Sequence, residues 1–188
     1  MAPDPLFPAI LLLYVFLSTL YSSWLKTKPI VDVVLLAVLY TLRIFAGGAA
    51  AGIPISEWLT AFSMFMFLSL AFAKRHAELT RISTERHDSA AGRGYFASDL
   101  GLLESLGAAS GYSAVLVLAL YIHSPETRLI YRHPQTLWFV CPLLLYWIGR
   151  LWLFANRGQL DEDPLVFAMS DRVSLAVAAL TAAIVAIS

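Results

Sequence analysis

Six apolar stretches, separated by short polar segments, constrain this chain more than any other feature. They cover approximately residues 6–23, 30–51, 58–73, 100–122, 136–155 and 173–187. A helix crosses the hydrocarbon core with about 20 mostly apolar residues, and each stretch is at or near that length, the third and last being short. None alternates apolar and polar residues as a barrel strand does. The expected fold is all-α: one polytopic transmembrane domain over 1–188, built from six spans. Composition excludes the alternatives. Hydrophobic residues make up 59% of the chain and charged ones 14%, whereas a soluble domain carries roughly 25% charge. A globule of this size cannot bury that much apolar side chain, and a disordered chain would not contain it. Thirteen Lys+Arg balance thirteen Asp+Glu, so no charge excess points to nucleic acid. The lone cysteine, Cys141, excludes a disulfide framework and a Cys-based zinc site.

Charge placement sets the expected orientation. Loops on one side hold Lys26, Lys28, Lys74, Arg75, Arg81, Arg86, Arg93, Arg157 and Arg172, against Arg128 and Arg132 on the other. The basic side is expected to face the cytoplasm, with both termini outside. No basic residue precedes the first stretch, so it does not read as a signal peptide. An external N-terminus without one points to further spans upstream. Gly48 and Gly52, and Gly107 and Gly111, each form a small-xxx-small pair that favours close helix approach. Packing within the molecule is the expected use, dimerisation the alternative. No internal repeat is visible, which weighs against an inverted-repeat transporter.

The longest polar segment, 74–99, is expected to be a cytoplasmic loop and holds nine of the 26 charges. Lys74, Glu78 and Arg81 fall on one helical face, and Glu85 continues it. Basic groups mixed with carboxylates at a membrane surface suit a phosphate-bearing ligand. The alternative is a solvated helix anchored to anionic lipid. Asp32 and Arg43 are harder to dismiss, because ionisable groups inside apolar spans are costly and usually face a polar interior. Their separation of eleven residues is close to three helical turns, so they share a face about 16 Å apart along the axis. Arg150 and Glu104 lie near inner ends. The run Asp161-Glu162-Asp163 before Pro164 is a turn or a divalent-ion site. His76 and His87 lack the spacing of a ligand pair.

Tyr21-Ser22-x-x-Leu25-Lys26, then Asp32, Arg43 and Gly47, then Lys74-Arg75-x-x-Glu78-Leu79, resembles the UbiA prenyltransferase superfamily. The likeness is nearest to its decaprenyl-phosphate phosphoribosyltransferase-like branch. Gly92-Arg93-Gly94-Tyr95 with Asp99, the run Cys141 to Trp147, and Asp163-Pro164-Leu165-Val166-Phe167-Ala168 with Asp171-Arg172 fit the same branch. The resemblance implies nine helices around a cavity open sideways to lipid, of which this chain matches the last six. It also implies a multi-pass protein of the bacterial inner membrane. The family's first acidic motif, NDxxDxxxD, which binds magnesium and the donor diphosphate, does not occur here. No DxxxD occupies the region of the second motif either; Lys74, Arg75 and Glu78 stand there. That departure counts against aromatic prenylation and fits the phosphoribosyl-type branch.

By this resemblance the chain is part of a transferase that moves a phosphoribosyl or prenyl-type group from a magnesium-bound diphosphate donor to a polyprenyl (phosphate) lipid. Asp32, Arg43 and Glu78 are then the candidate catalytic residues, with Arg43 stabilising charge. Lys26, Lys28, Lys74, Arg75, Arg93, Tyr95 and Asp99 are candidate substrate-binding residues, and the metal ligands are unassigned. The expected partners are the polyprenyl lipid, the phosphorylated donor and membrane lipid. The competing reading is a non-catalytic membrane module or a transporter fragment, in which Asp32 and Arg43 mark a path.

Overall fold

The computed structural model describes residues 6–85, 94–160 and 163–188. It is helical throughout, with no strand among the described residues. The helices are α1 (Leu6–Ser23), α2 (Val31–Ala51), α3 (Glu57–Glu85), α4 (Leu100–His123), α5 (Pro125–Ile130), α6 (Val140–Asn156), α7 (Pro164–Ser170) and α8 (Arg172–Ile187). Short 3₁₀ turns at Leu25–Thr27, Ala97–Asp99 and Pro134–Phe139 connect them.

Six long helices occupy the places of the six apolar stretches, but fewer qualify as spans. Among the described residues, four are long and apolar enough to cross a membrane: Leu6–Ser23, Val31–Ala51, Ala97–His123 and Pro134–Asn156. Pro164–Ser170 and Arg172–Ile187 would add a fifth as one broken span, bent by 77°. By length and apolarity, then, four to five helices are candidate spans, against the expected six. The shortfall has a physical cause in α3, which opens on Glu57 and meets Lys74, Arg75 and His76 where its apolar run ends. The helix does not stop there. It continues to Glu85, so the first half of the polar segment 74–99 is helix.

The bend between α7 and α8 is written locally. Asp163 precedes Pro164, and its side chain accepts the Leu165 N–H at 3.0 Å. Asp171 takes an extended conformation, with φ −77 and ψ 125, and accepts the Ser174 N–H at 2.7 Å. Two capping aspartates thus start two helices within one apolar run.

The core lies where α3 packs along α4, with α2 and α6 flanking. Close approach there depends on Gly107 and Gly111. A Cβ on Gly107 would fall 2.1 Å from Trp152 Cζ2 and 2.8 Å from Phe72 Cβ. One on Gly111 would fall 2.7 Å from Ile148 Cγ2 and 2.9 Å from Ser69 Oγ. The Ser69 hydroxyl donates across to the Gly107 carbonyl at 2.7 Å and accepts the Trp152 indole N–H at 3.2 Å. This small-residue pair serves packing inside the molecule. By contrast α1, equally apolar, buries none of its residues.

Overpacking a filled core costs about 1–3 kcal/mol. Gly107→Ala is therefore expected to lower the thermal midpoint of the detergent-solubilised protein clearly. Gly101→Ala, where nothing lies within 4 Å, is expected to leave it unchanged or slightly raised. Equal midpoints for the two variants would contradict this packing.

Candidate functional site

The polar end of the bundle is organised around Arg75. This guanidinium is 2% exposed, two residues past the apolar part of α3. Its Nε donates to Asp32 Oδ2, one terminal nitrogen to Glu78 Oε2, and the other to the Tyr21 hydroxyl at 2.8 Å. Asp32 is fully buried in the first turn of α2, and its second oxygen accepts the Tyr95 hydroxyl at 2.6 Å. One arginine thus ties together α1, α2, its own helix α3 and the segment before α4. Buried charges of this kind are tolerable only when paired and fully hydrogen-bonded.

The backbone around Asp32 is strained. Ile30 has φ 67 and ψ −45, and the Pro29 carbonyl accepts the Val31 N–H at 2.8 Å. That is a γ-turn of the positive-φ hand, unfavourable for a β-branched residue. Two contacts hold it. The Tyr95 hydroxyl accepts the Ile30 N–H at 2.6 Å. Gly94, at φ 78, lets the chain pass so close that a Cβ there would lie 3.0 Å from the Thr27 carbonyl. Burial, then the hydrogen bond to Asp32, drives the Tyr95 pKa well above its ordinary value, so the phenol stays protonated and keeps donating.

Three further pairs border the cluster. Lys74 donates to Asp163 at 2.8 Å. Burial pushes the Asp163 pKa up, but the hydrogen bonds from Lys74 and the Leu165 N–H outweigh it and hold the carboxyl below its ordinary range. Asn156 donates to Glu104 at 2.9 Å. Arg150 makes a two-pronged contact to Asp171, at 2.6 and 3.0 Å, with its guanidinium 4.5 Å from the Phe154 ring centre. Next to Arg75, His76 is buried edge-on to Trp152, and its Nδ1 has no hydrogen-bond partner.

The expected site residues divide accordingly. Asp32, Arg75, Glu78 and Tyr95 are brought together. Arg75 is not available to phosphate as it stands, since all three of its nitrogens donate within the protein, and both Asp32 oxygens are taken. Lys74 is tied to Asp163. Lys26 and Lys28 are exposed on the turn after α1, with the Lys28 ammonium 5.5 Å from the Trp24 ring centre. Asp99 closes its own turn by accepting the Phe96 N–H at 2.9 Å. Arg43 is exposed beside Tyr14 and makes no contact with the cluster. Arg93 lies outside the described residues. Sequence reasoning gave no role to Tyr21, and it missed Asp163 as the partner of Lys74. The Asp-Pro step of an N-cap was the available signal for Asp163.

An apolar cavity of about 650 Å³ opens between α3, α6, α7 and α8, lined by Phe62, Met66, Leu144, Trp147, Val177 and Thr181 among others. Among the described residues no group of three or more His, Cys, Asp or Glu side chains could hold a metal ion. Asp32, Glu78, Asp163 and Asp171 each accept from a cation instead. The described residues therefore do not fit a resident magnesium.

No protein-family model matches the chain. Uncharacterized protein y4nM of Sinorhizobium fredii is 37% identical over 181 residues, covering 95% of this chain and 35% of its own. Nodulation protein NoeC of Azorhizobium caulinodans is 35% identical over 165 residues, covering 86% of this chain and 53% of its own. Decaprenyl-phosphate phosphoribosyltransferase of Corynebacterium glutamicum is 38% identical over 66 residues, 35% of this chain and 20% of its own. The chain spans between about a third and about a half of the length of the first two relatives. It is an apolar helical protein with partial homology to a prenyl-type transferase.

Removing one member of a buried ion pair costs about 3–5 kcal/mol, and leaving a buried polar group unpaired about 1–3. In detergent, Asp32→Ala is expected to destabilise most and Tyr95→Phe less. Lys74→Ala, which breaks a pair whose members are each 31% exposed, is expected to have little effect, about 0–1 kcal/mol. Thermal unfolding that ranks Lys74→Ala with Asp32→Ala would contradict the hub.

Proposed function

We propose that this chain is the membrane-embedded part of a UbiA-type transferase that moves a phosphoribosyl or prenyl-type group from a diphosphate donor to a polyprenyl (phosphate) lipid. The observation that carries the reading is the homology of about a third of the chain to decaprenyl-phosphate phosphoribosyltransferases. The clustering of ionised groups at one end of an otherwise apolar bundle supports it. That end is read as cytoplasmic, in the bacterial inner membrane, with both termini on the other side.

In this reading an oxygen of the lipid phosphate attacks the substituted carbon of the donor. The new C–O bond forms as the bond to diphosphate breaks, and the diphosphate leaves with its electron pair. Stabilising that departing charge is the main task. Lys26 and Lys28 are suited to it, being exposed at the rim of the cluster and without an ion pair to a described residue. Arg75 and Asp32 act through them. The Asp32–Tyr95–Ile30 contacts fix the turn that carries both lysines, so the ammonium groups are placed before the donor arrives. The requirement for magnesium comes to this reading from the family resemblance, while Asp32, Glu78, Asp163 and Asp171 are each paired with a cation of the chain.

The test is transfer from a labelled phosphoribosyl diphosphate to a polyprenyl phosphate, in membranes holding a protein that contains these 188 residues. Lys26→Ala and Lys28→Ala are each expected to lower turnover about tenfold or more, the worth of a charge-assisted hydrogen bond at about 1.5–3 kcal/mol. Arg128→Ala at the opposite end is expected to leave it unchanged. Full turnover in the folded double lysine variant would contradict this donor site.

A further inference from the structure

We infer that the end of the bundle opposite Arg75 binds a quaternary ammonium group, the head of a choline phospholipid, in an aromatic pocket between α3 and α4. The inference stands apart from the transferase reading and uses none of its site residues.

Position is the first argument. A cavity of about 280 Å³ opens between the start of α3, the end of α4 and Tyr131, which follows α5. That is near the lower end of the size range of small-ligand pockets. Trp58 comes seventeen residues before Arg75 on α3. At 1.5 Å per residue the separation is about 26 Å, close to the roughly 30 Å of a hydrocarbon core. With the Arg75 cluster at one membrane surface, the pocket is level with the lipid head groups of the other.

The walls are the second. Of the eight described residues that line the cavity, four are aromatic: Trp58 and Phe62 one turn apart on α3, Tyr121 from α4, and Tyr131. The Trp58 and Tyr121 rings are 6.3 Å apart and tilted by 49°. None of the eight is charged, so an anion would find no counter-charge. Aromatic faces are negative, and several rings around one space attract a cation. These are not belt residues of the usual kind. Trp58, Tyr121 and Tyr131 are half-buried, whereas Trp138 and Phe139, on the turn that packs against α4, are 48% and 66% exposed and serve as an interfacial belt.

Hydrogen bonding selects the kind of cation. The polar groups of the wall are already engaged. The Ser56 hydroxyl accepts the Leu59 N–H at 3.1 Å, and the Tyr131 phenol interacts with that of Tyr121. A primary ammonium brings three N–H donors, and a sugar brings several hydroxyls; each would be left short of partners on burial. A trimethylammonium group has no N–H and presents only methyl groups to the rings. Beside the pocket in the chain, Glu57 adjoins Trp58 and Arg132 adjoins Tyr131, both exposed. Charges of both signs there suit a zwitterionic phosphocholine better than a free cation.

The test is equilibrium binding to the purified 188-residue chain in nonionic detergent. The probes are dihexanoyl phosphatidylcholine, dihexanoyl phosphatidylethanolamine and free choline. The choline lipid is expected to bind at least about tenfold more tightly than either of the other two. Tyr131→Leu should bring the two lipids to within about twofold of each other. Tyr131→Phe, which keeps the ring, should retain a preference of about fivefold or more. Trp138→Leu, outside the pocket, should leave the preference unchanged. Circular dichroism and thermal midpoints verify folding, and should Tyr131→Leu not fold, Trp58→Leu carries the same expectation. Equal binding of the two lipids by the wild type, or a preference that survives loss of a pocket ring in folded protein, would overturn the inference. Free choline binding as tightly as the lipid would overturn the lipid as the source.

Discussion

Burying an arginine is the constraint on which the polar end depends. Arg75 is held where α3 leaves its apolar run, and every nitrogen it has must find an acceptor there. Meeting that demand brings α1 through Tyr21 and α2 through Asp32 to the same point. Asp32 in turn requires a second donor, which Tyr95 supplies from the segment before α4. The strained turn at Ile30 persists because the same phenol accepts its N–H. Each contact satisfies the shortfall of another, so the turn bearing Lys26 and Lys28 is held by groups committed to one another.

A different physics holds the middle of the bundle. In lipid there is little hydrophobic drive between helices, so close packing of small residues takes over. Gly107 and Gly111 admit Trp152 and Ile148 against α4, and Ser69 supplies a polar tie across the contact. The rigid α3–α4 pair gives Arg75 a fixed origin.

Much of this was legible in the residues. Apolar length gives the helices, and the Gly107/Gly111 spacing gives the close contact. Asp32 and Arg43 stand out because ionisable groups are expensive inside apolar runs. Their shared face follows from helical spacing, but they do not act together: Asp32 is consumed by Arg75, while Arg43 faces Tyr14. Periodicity reports which face a residue occupies, not who meets it there. Two of the three partners of Arg75 are 43 and 54 positions away in sequence, and no local pattern links them. The gap between six expected spans and four to five candidates by length and apolarity has a related reason. Apolar length was counted without the charge at each end of the α3 run, or the bend that Asp171 imposes before α8.

The claim that Asp32 and Arg75 form one unit is tested most directly by a double-mutant cycle. Asp32→Ala, Arg75→Met and the double variant would be unfolded in detergent under identical conditions. Each single change strands a buried charge, whereas the double change removes both. The double variant is therefore predicted to be less destabilised than the sum of the singles by about 2 kcal/mol or more, near the upper part of the range for residues in contact. Losses that simply add would show that the two groups are independent, and the account of the polar end would be wrong.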